Sequence, residues 1–552
     1  MTDTTASPPE VAPEDRRRLR WALVIISIAQ LLVVLDSTIA NIALPFIGRD
    51  LDIGANNLQW IVTGYALAFG GLLLLGGRLS DLYGRRLVFI VGIVVFVTAS
   101  LVGGIAQNEA MLLIARGFQG FGAALASPAA LALITTTFPA GPERNRAFAV
   151  YAAMSGAGAA VGLLLGGWLT GLDQPLGMSG WRLTFLIVVP IGLAAAFFAP
   201  RFFEESERHT GQLDVPGAIT GTLGLLGIVY GLSRAGDSRY GWGETWTLAS
   251  LVAGVLLLVV FAVIESRVEH PLLPIRIFAS QTRAASFLAM ALMPAAMFAM
   301  FFFLSLFVQN VMGYSPLKTG VAFLPFSFGI VLSATVVSGL VSRVDARYIA
   351  GVGTLISSAA LFGFSRLSVP DGASDVLASV GSGEALGAGV SYWTDILPFV
   401  VLMALGMGAV FVPLTLTAVH HLRAEDSGIG SGVLNTMQQV GGALGLATLS
   451  TVATSAMTTR AEEIGPGIGQ GLQQAAQQDP SLLDRLMTAF SVDSVDAVVG
   501  QLAGLGAFPE GATSAFFVGS FMMLAGSVVV WLFLDVKHEE LATDGPEGVH
   551  VG

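Results

Sequence analysis

Fourteen apolar runs, separated by charged or Gly/Pro-rich breaks, organise this chain of 552 residues. They fall near 21–47, 57–77, 86–107, 110–138, 145–171, 182–200, 214–233, 245–265, 283–312, 318–342, 346–367, 393–420, 427–456 and 513–534. About 20 apolar residues are enough for a helix to cross the hydrocarbon layer of a bilayer. The composition agrees: 54% of the residues are hydrophobic and 12% charged, where a soluble domain carries about 25% charged, and the mean hydropathy is +0.74. The chain is therefore expected to be an all-α membrane protein. Its first run is too long for a signal-peptide core and no small-residue cleavage site follows it, so it is read as a retained helix. Residues 1–20 form a polar, Pro-containing tail, expected to be disordered up to its arginine cluster.

Lysine and arginine set an orientation, because cytoplasmic loops carry the excess of positive charge. With the N-terminus inside and the helices alternating, 18 Lys/Arg fall on the inner side and 8 on the outer, while Arg116 lies within a helix. Both termini are thus expected in the cytoplasm, which an even helix count also requires. The net charge of −11 is spread over loops and tails, and no basic stripe suits nucleic acid. The absence of cysteine excludes disulfides, thiol catalysis and cysteine metal sites.

The two ends of the chain resemble each other, which points to an internal repeat. Met154, Gly158 and Gly162 recur as Met437, Gly441 and Gly445 at the same spacing. GRLSDLYGRR (77–86) has a worn counterpart in GLVSRVDAR (339–347), and GFGAALASP (120–128) resembles GMGAVFVP (406–413). The simplest division is a six-helix bundle at 21–200, a linker with two extra helices at 201–282, a second six-helix bundle at 283–534 and a tail at 535–552. Such repeats place a transport pathway between the halves, near the midplane. Residues 458–511 read as one large outer loop, a solvated cap with a short amphipathic helix after Pro480.

Asp36 is the one ionisable side chain in WALVIISIAQLLVVLDSTIANIALPFI (21–47). A carboxylate near the bilayer centre costs about 2.5–3.5 kcal/mol on insertion scales, so it needs a partner, a proton or a wet cavity. Arg116 on the fourth helix needs a counter-charge in turn, and Asp36 is the one carboxylate within a helix core of the first half. The two are expected to lie close, with protonation of Asp36 breaking the pair; the alternative is an ion pair that serves packing alone. Arg116, Gln119, Ala123 and Ser127 follow three- and four-residue spacing and form one stripe. Gly158, Gly162 and Gly166, with Gly167 beside them, make a small-residue face that admits a close neighbouring helix.

Several strings carry a family resemblance. Gly77, Leu79, Asp81, Gly84, Arg85 and Arg86, with Arg78 beside them, match the loop signature G-x-L-a-D-r-x-G-r-r/k of the major facilitator superfamily; Leu82 departs from it. LDSTIANIALP (35–45) is similar to the signature of its fourteen-helix drug:proton antiporters, and ARGFQGFGAALASP (115–128) to the family's R-x-x-Q-G-x-g-a-a. Those antiporters place g-x-x-x-G-P-x-x-G-G on the fifth helix, where this chain keeps Gly166 and Gly167 and lacks the proline. The resemblance implies a major facilitator fold of fourteen transmembrane helices, two six-helix bundles plus an inserted pair. It also implies an inside charge latch at 77–86 and alternating access.

The remaining polar residues are expected to line a substrate path. Asn435, Gln438 and Gln439 share a face of the thirteenth helix with Gly442; Asn41, Gln59, Trp60, Tyr65, Gln119, Ser127, Met154, Phe307, Gln309 and Asn310 are further candidates, the last two near the outer mouth. Amides do not titrate, so they suit hydrogen bonding to a substrate or to a neighbouring helix. Glu265 and Asp395 lie at helix ends. His420 and His421 have no third ligand nearby, and no Ser/His/Asp set, Walker sequence or catalytic carboxylate pair occurs, so neither a metal site nor an enzyme is expected.

The expected function is proton-coupled efflux of lipophilic or amphiphilic drugs across a bacterial plasma membrane. The rivals are a dedicated exporter of one endogenous lipid or secondary metabolite, as the actinobacterial-type resemblance implies, and a non-transporting membrane receptor or scaffold. The expected partners are protons, the lipid bilayer and a small lipophilic substrate, with a monomeric chain and no cofactor or nucleic acid.

Overall fold

Chain segments in hydrocarbon satisfy their backbone polar groups by bonding them within a helix. The computed structural model accordingly holds no strand among the residues it describes, which are 13–139, 142–205, 213–237, 239–420, 422, 427–479, 481–490 and 492–543. Most of the predicted N-terminal tail, the end of the C-terminal tail, His421 and Pro480 lie outside the described residues.

Among the described residues fourteen helices are long and apolar enough to cross a membrane. The first bundle is α1 (Pro13–Asp50), α2 (Ala55–Tyr83), α3 (Arg85–Gly104), α4 (Glu109–Thr137), α5 (Pro142–Thr170) and a sixth span broken into α6 (Gly180–Leu186) and α7 (Val188–Phe202). The inserted pair is α8 (Val215–Gly236) and α9 (Thr245–Glu265). Then come α10 (Gln281–Leu306), prolonged by a π turn at Phe307–Val311, α11 (Pro316–Leu340), α12 (Ala346–Phe364) and the short α13 (Ala373–Ser382). The chain continues with α14 (Leu397–Val419), α15 (Ser427–Gln478), the short α16 (Ser481–Phe490), α17 (Val495–Phe533) and the short α18 (His538–Thr543). One face of the molecule, the basic face, carries the start of α1, the 77–86 loop, Arg201 and Arg347.

The repeat is visible in the packing. In the first bundle α1 packs on α5, α2 and α3 pack on α4, and α3 packs on α7; in the second α10 packs on α15, α11 and α12 pack on α14, and α12 packs on α17. The bundles meet along two seams related in the same way, α2 against α15 and α5 against α11. α8 lies along the first seam and touches both its helices, and α9 packs on α8. The outer surface of α9 exposes Val252, Val255 and Val259, as an apolar helix at the lipid boundary does.

Two expectations need correction. α1 begins at Pro13, so residues 13–20 of the tail expected to be disordered belong to the first helix. Arg18 donates to the Phe202 carbonyl at 3.3 Å and to Glu204 at 2.7 Å, which holds this extension against the end of α7. Residues 458–511 are not a loop either. α15 runs on to Gln478 through the glycine-rich EEIGPGIGQG, and α17 starts at Val495. Glycine and proline weaken a helix locally, but Ile464, Ile468 and Leu472 recur every four residues and bury against Val376, Leu486, Val498 and Leu502. Tertiary burial wins, and the cap has its own apolar core. Arg460 ties it to the preceding segment through Asp371 at 2.6 Å, and pairs with Glu463 of its own helix at 3.0 Å.

Candidate functional site

Close packing of α1 on α5 fixes where Asp36 points. Gly158, Gly162 and Gly166 lie against Val34, Thr38 and Ile39 of α1, with little or no room for a Cβ. Val34 and Thr38 are each two residues from Asp36, so the aspartate faces the opposite side of α1, toward the bundle interior. Gly167 meets the Pro316 backbone of α11 and so belongs to the seam between bundles.

In that interior Asp36 meets α4. Arg116 Nη1 donates to Asp36 Oδ2 at 2.6 Å, and Gln119 Nε2 donates to Asp36 Oδ1 at 2.8 Å. Arg116 also donates from Nε to the Ile61 carbonyl at 2.8 Å and from Nη1 to Gln119 Oε1 at 3.1 Å. Gln119 Nε2 reaches Ser100 Oγ of α3 at 2.8 Å. The guanidinium lies over the Tyr65 ring, 4.4 Å from its centroid. Asp36 is 5% exposed, Arg116 1%, Gln119 and Ser100 0%. Both carboxylate oxygens thus take charge-assisted or amide donors in a dry setting, where removing one partner of such a pair costs about 3–5 kcal/mol. Ser100 and Ile61 are the members sequence reasoning missed; a lone serine in the apolar run of α3 was the available signal.

The other predicted residues divide. Gln119 and Tyr65, expected to line a substrate path, belong to this charge cluster, and Phe307 is fully buried in the second bundle's core. Gln59 Nε2 and Trp60 Nε1 both donate to Ser233 Oγ of α8, at 3.2 and 3.1 Å, so they dock the inserted pair. At the end of the bundles opposite the basic face, Ser305 Oγ donates to the Asn41 carbonyl at 3.0 Å, Gln309 Nε2 to Ser305 Oγ at 3.0 Å, and Arg49 to Asn310 Oδ1 at 3.3 Å. The bonds of Ser305 to Asn41 and of Arg49 to Asn310 join the two bundles there, and Gln309 braces Ser305 from its own helix. Asn435 is exposed, Gln438 reaches Met290 Sδ at 3.8 Å, Gln439 packs at Gly70, and Gly442 meets the Phe298 ring. Ser127 and Met154 are half-buried.

The 77–86 loop turns at Gly84, whose φ of +104° suits glycine and whose missing Cβ leaves space for Glu205. Asp81 pairs with Arg85 at 3.6 Å. Arg85 reaches the Ala132 carbonyl and Thr135, and Arg86 reaches the Phe203 carbonyl at 3.2 Å and Glu205 at 3.4 Å. These bonds all stay within the first bundle and its end. Gly77 lies over Pro128, and Arg78 is half-buried at the same turn.

Two six-helix bundles related by a repeat, with a further helix pair between them in the sequence, are the architecture of a membrane transporter. The sequence profile of the Major Facilitator Superfamily matches residues 26–446, and the chain belongs to that superfamily. It is 43% identical over 466 residues to the puromycin resistance protein pur8 of Streptomyces alboniger, covering 82% of this chain and 86% of that protein. It is 37% identical over 453 residues to the cephamycin export protein CmcT of Amycolatopsis lactamdurans, covering 81% and 88%. Among solved structures it is similar in fold to a bacterial homologue of the lysosomal transporter Spinster in an inward-facing, unoccupied conformation. The TM-score is 0.64 at 17% identity, covering 97% of this chain and all of that one. The protein is therefore a multi-pass membrane transporter.

Proposed function

We propose that the protein exports small lipophilic or amphiphilic compounds from a bacterial cell in exchange for protons, with its basic face in the cytoplasm. The observation that carries this reading is the buried Asp36–Arg116–Gln119 cluster. Relatives named for antibiotic resistance and export support the direction of transport. Ionised, Asp36 accepts from both Arg116 and Gln119 and draws α1 onto α4. Protonated, it has one oxygen fewer to offer as an acceptor, and the guanidinium keeps the Ile61 carbonyl and Gln119. α1 also carries the Asn41 carbonyl that Ser305 holds across the bundles, so a shift of α1 on proton uptake bears on that junction. A proton entering down 100 mV supplies about 2.3 kcal/mol toward expulsion.

The compound would lie between α1, α10 and α15, against Asn41, Met290, Phe298 and Gln438. Aromatic and Met surface with few directed polar groups favours breadth over selectivity. The 77–86 loop would act as the inside latch by exchanging its first-bundle partners for ones in the second bundle.

The test is transport in proteoliposomes under an imposed proton gradient, with a panel of unrelated amphiphiles. Wild type should accumulate several of them against their gradients, and Asp36→Asn should lose uphill movement while still binding them. Undiminished, proton-dependent transport by Asp36→Asn would sink the coupling assignment. Movement of one compound alone would instead mark a dedicated exporter.

A further inference from the structure

Two acids outside the Asp36 cluster are buried at the basic-face end of the inserted pair. Asp214 caps α8, its Oδ1 accepting from the Gly217 amide at 2.8 Å, and Glu265 ends α9, its Oε2 accepting from the Leu273 amide at 2.8 Å. They are 5% and 4% exposed. The second oxygen of each, Asp214 Oδ2 and Glu265 Oε1, is enclosed and has no donor among the described residues. Both oxygens lie against Gly217, where any Cβ would strike them, and the two carboxyls are within hydrogen-bonding reach of each other. No arginine, lysine or histidine among the described residues forms an ion pair with either, and no third ligand completes a metal site there. A cavity of about 500 Å³ adjoins Asp214. Arg267, Glu269 and His270 are the other titratable groups on its wall, beside Pro216 and Val263.

Two ionised carboxylates cannot share a dry site this small, because each raises the cost of charging the other. One proton between them removes a charge and gives both orphaned oxygens a partner at once. We propose that Asp214 and Glu265 bind one proton jointly, as a carboxyl–carboxylate pair separate from Asp36, reached from the adjoining cavity. The loaded pair staples the end of α8 to the end of α9 and, through Leu273, to the segment leading into the second bundle. Loss of the proton sets two charges against each other at that junction. α8 feels it along the seam, since its far end is bonded to both bundles through Ser233 and the Leu232 carbonyl, the latter accepting from Thr451 at 2.7 Å.

The experiment is infrared difference spectroscopy of the full-length protein in lipid nanodiscs as pH is raised. Wild type should show a protonated-carboxyl C=O band that disappears on alkalinisation. Glu265→Gln, whose amide donates permanently to Asp214, should lack that band and keep the fold; Asp214→Asn should lack it too. Asp36→Asn should retain it, which separates this site from the export mechanism. A band that survives both dyad substitutions, or no such band in wild type, overturns the proposal. Thermal stability gives a second readout. A proton bound in the folded state and released on unfolding makes stability fall as pH rises. Wild type should therefore lose more melting temperature with rising pH than Glu265→Gln, and equal slopes would count against a shared proton.

Discussion

In the first bundle the glycines of α5 seat α1, and in the second Gly441 and Gly445 of α15 seat α10 against Ala291 and Ala295. The same hinge-like contact is thus built twice, yet what it presents to the bundle interior differs. α1 offers Asp36 to an arginine and a glutamine; the corresponding stretch of α10 offers Met290, Met293 and Phe298, and its neighbour α15 offers amides. One half carries a group that changes charge, and the other carries groups that do not. The difference teaches that a repeat fixes helix placement while leaving chemistry free to diverge, so coupling and recognition can reside in separate halves.

The hardest blow to that division would come from exchanging roles. Arg116→Gln leaves Asp36 buried without its cation, and the expected cost is about 3–5 kcal/mol of stability together with loss of proton-driven transport. Gln438→Ala, in the amide half, should leave melting temperature and the proton requirement unchanged and raise the transport KM several-fold. If Gln438→Ala abolished proton dependence, or Arg116→Gln altered only KM, the halves would not be specialised in this way.

Equivalence of the two glycine contacts can be sharpened separately. Gly162 faces Thr38 and the Leu35 backbone, and Gly445 faces the Ala295 backbone, so a branched side chain at either must move a helix. Gly162→Val and Gly445→Val should each cost about 1–3 kcal/mol, as overpacking does. Gly162→Val should in addition disturb Asp36, one helix face away, and reduce coupling; Gly445→Val should not. Melting curves and transport-to-proton ratios of the pair make the comparison.

Much of this was legible in the chain because bilayer physics leaves few options. Fourteen apolar runs become fourteen spans, and Asp36 and Arg116 find each other because each is the other's one opposite charge within the first-half helix cores. What was not legible depends on third elements. Gln59 and Trp60 look like lining residues until α8 brings Ser233 to them. Gln119 looks available until Asp36 and Ser100 claim its amide. The cap at 458–511 read as a loop because its glycines and glutamines outweigh three spaced apolar residues locally, and only α13, α16 and α17 make those three decisive. Glu265 read as a mere helix end because its partner, Asp214, lies at the start of another helix.

The smallest expected effect concerns the two basic-face anchors. Arg86 holds the carbonyl of Phe203 and Glu205 at the end of α7, and Arg347 holds the carbonyl of Leu534 and Asp535 at the end of α17. The second anchor has an extra strut. Asp345 accepts from both the ring Nδ1 of His538, at 2.7 Å, and its backbone amide, at 2.8 Å. The side-chain bond from His538, then the backbone one, hold the Asp345 carboxyl below the usual range, outweighing the opposing effect of burial. A depressed carboxylate stabilises the folded arrangement above its unfolded pKa of about 3.9, and that contribution disappears as pH falls through the lower folded value. Amide exchange at 535–543 should therefore stay slow from neutral pH down into the carboxylate range and speed up below it. Asp345→Asn should remove this acid dependence and cost no more than about 1 kcal/mol, the scale of a partly exposed pair. The Arg86 anchor has no histidine strut among the described residues, so exchange at 203–205 should not follow Asp345→Asn; if it did, the two anchors would be one cooperative unit and not independent copies.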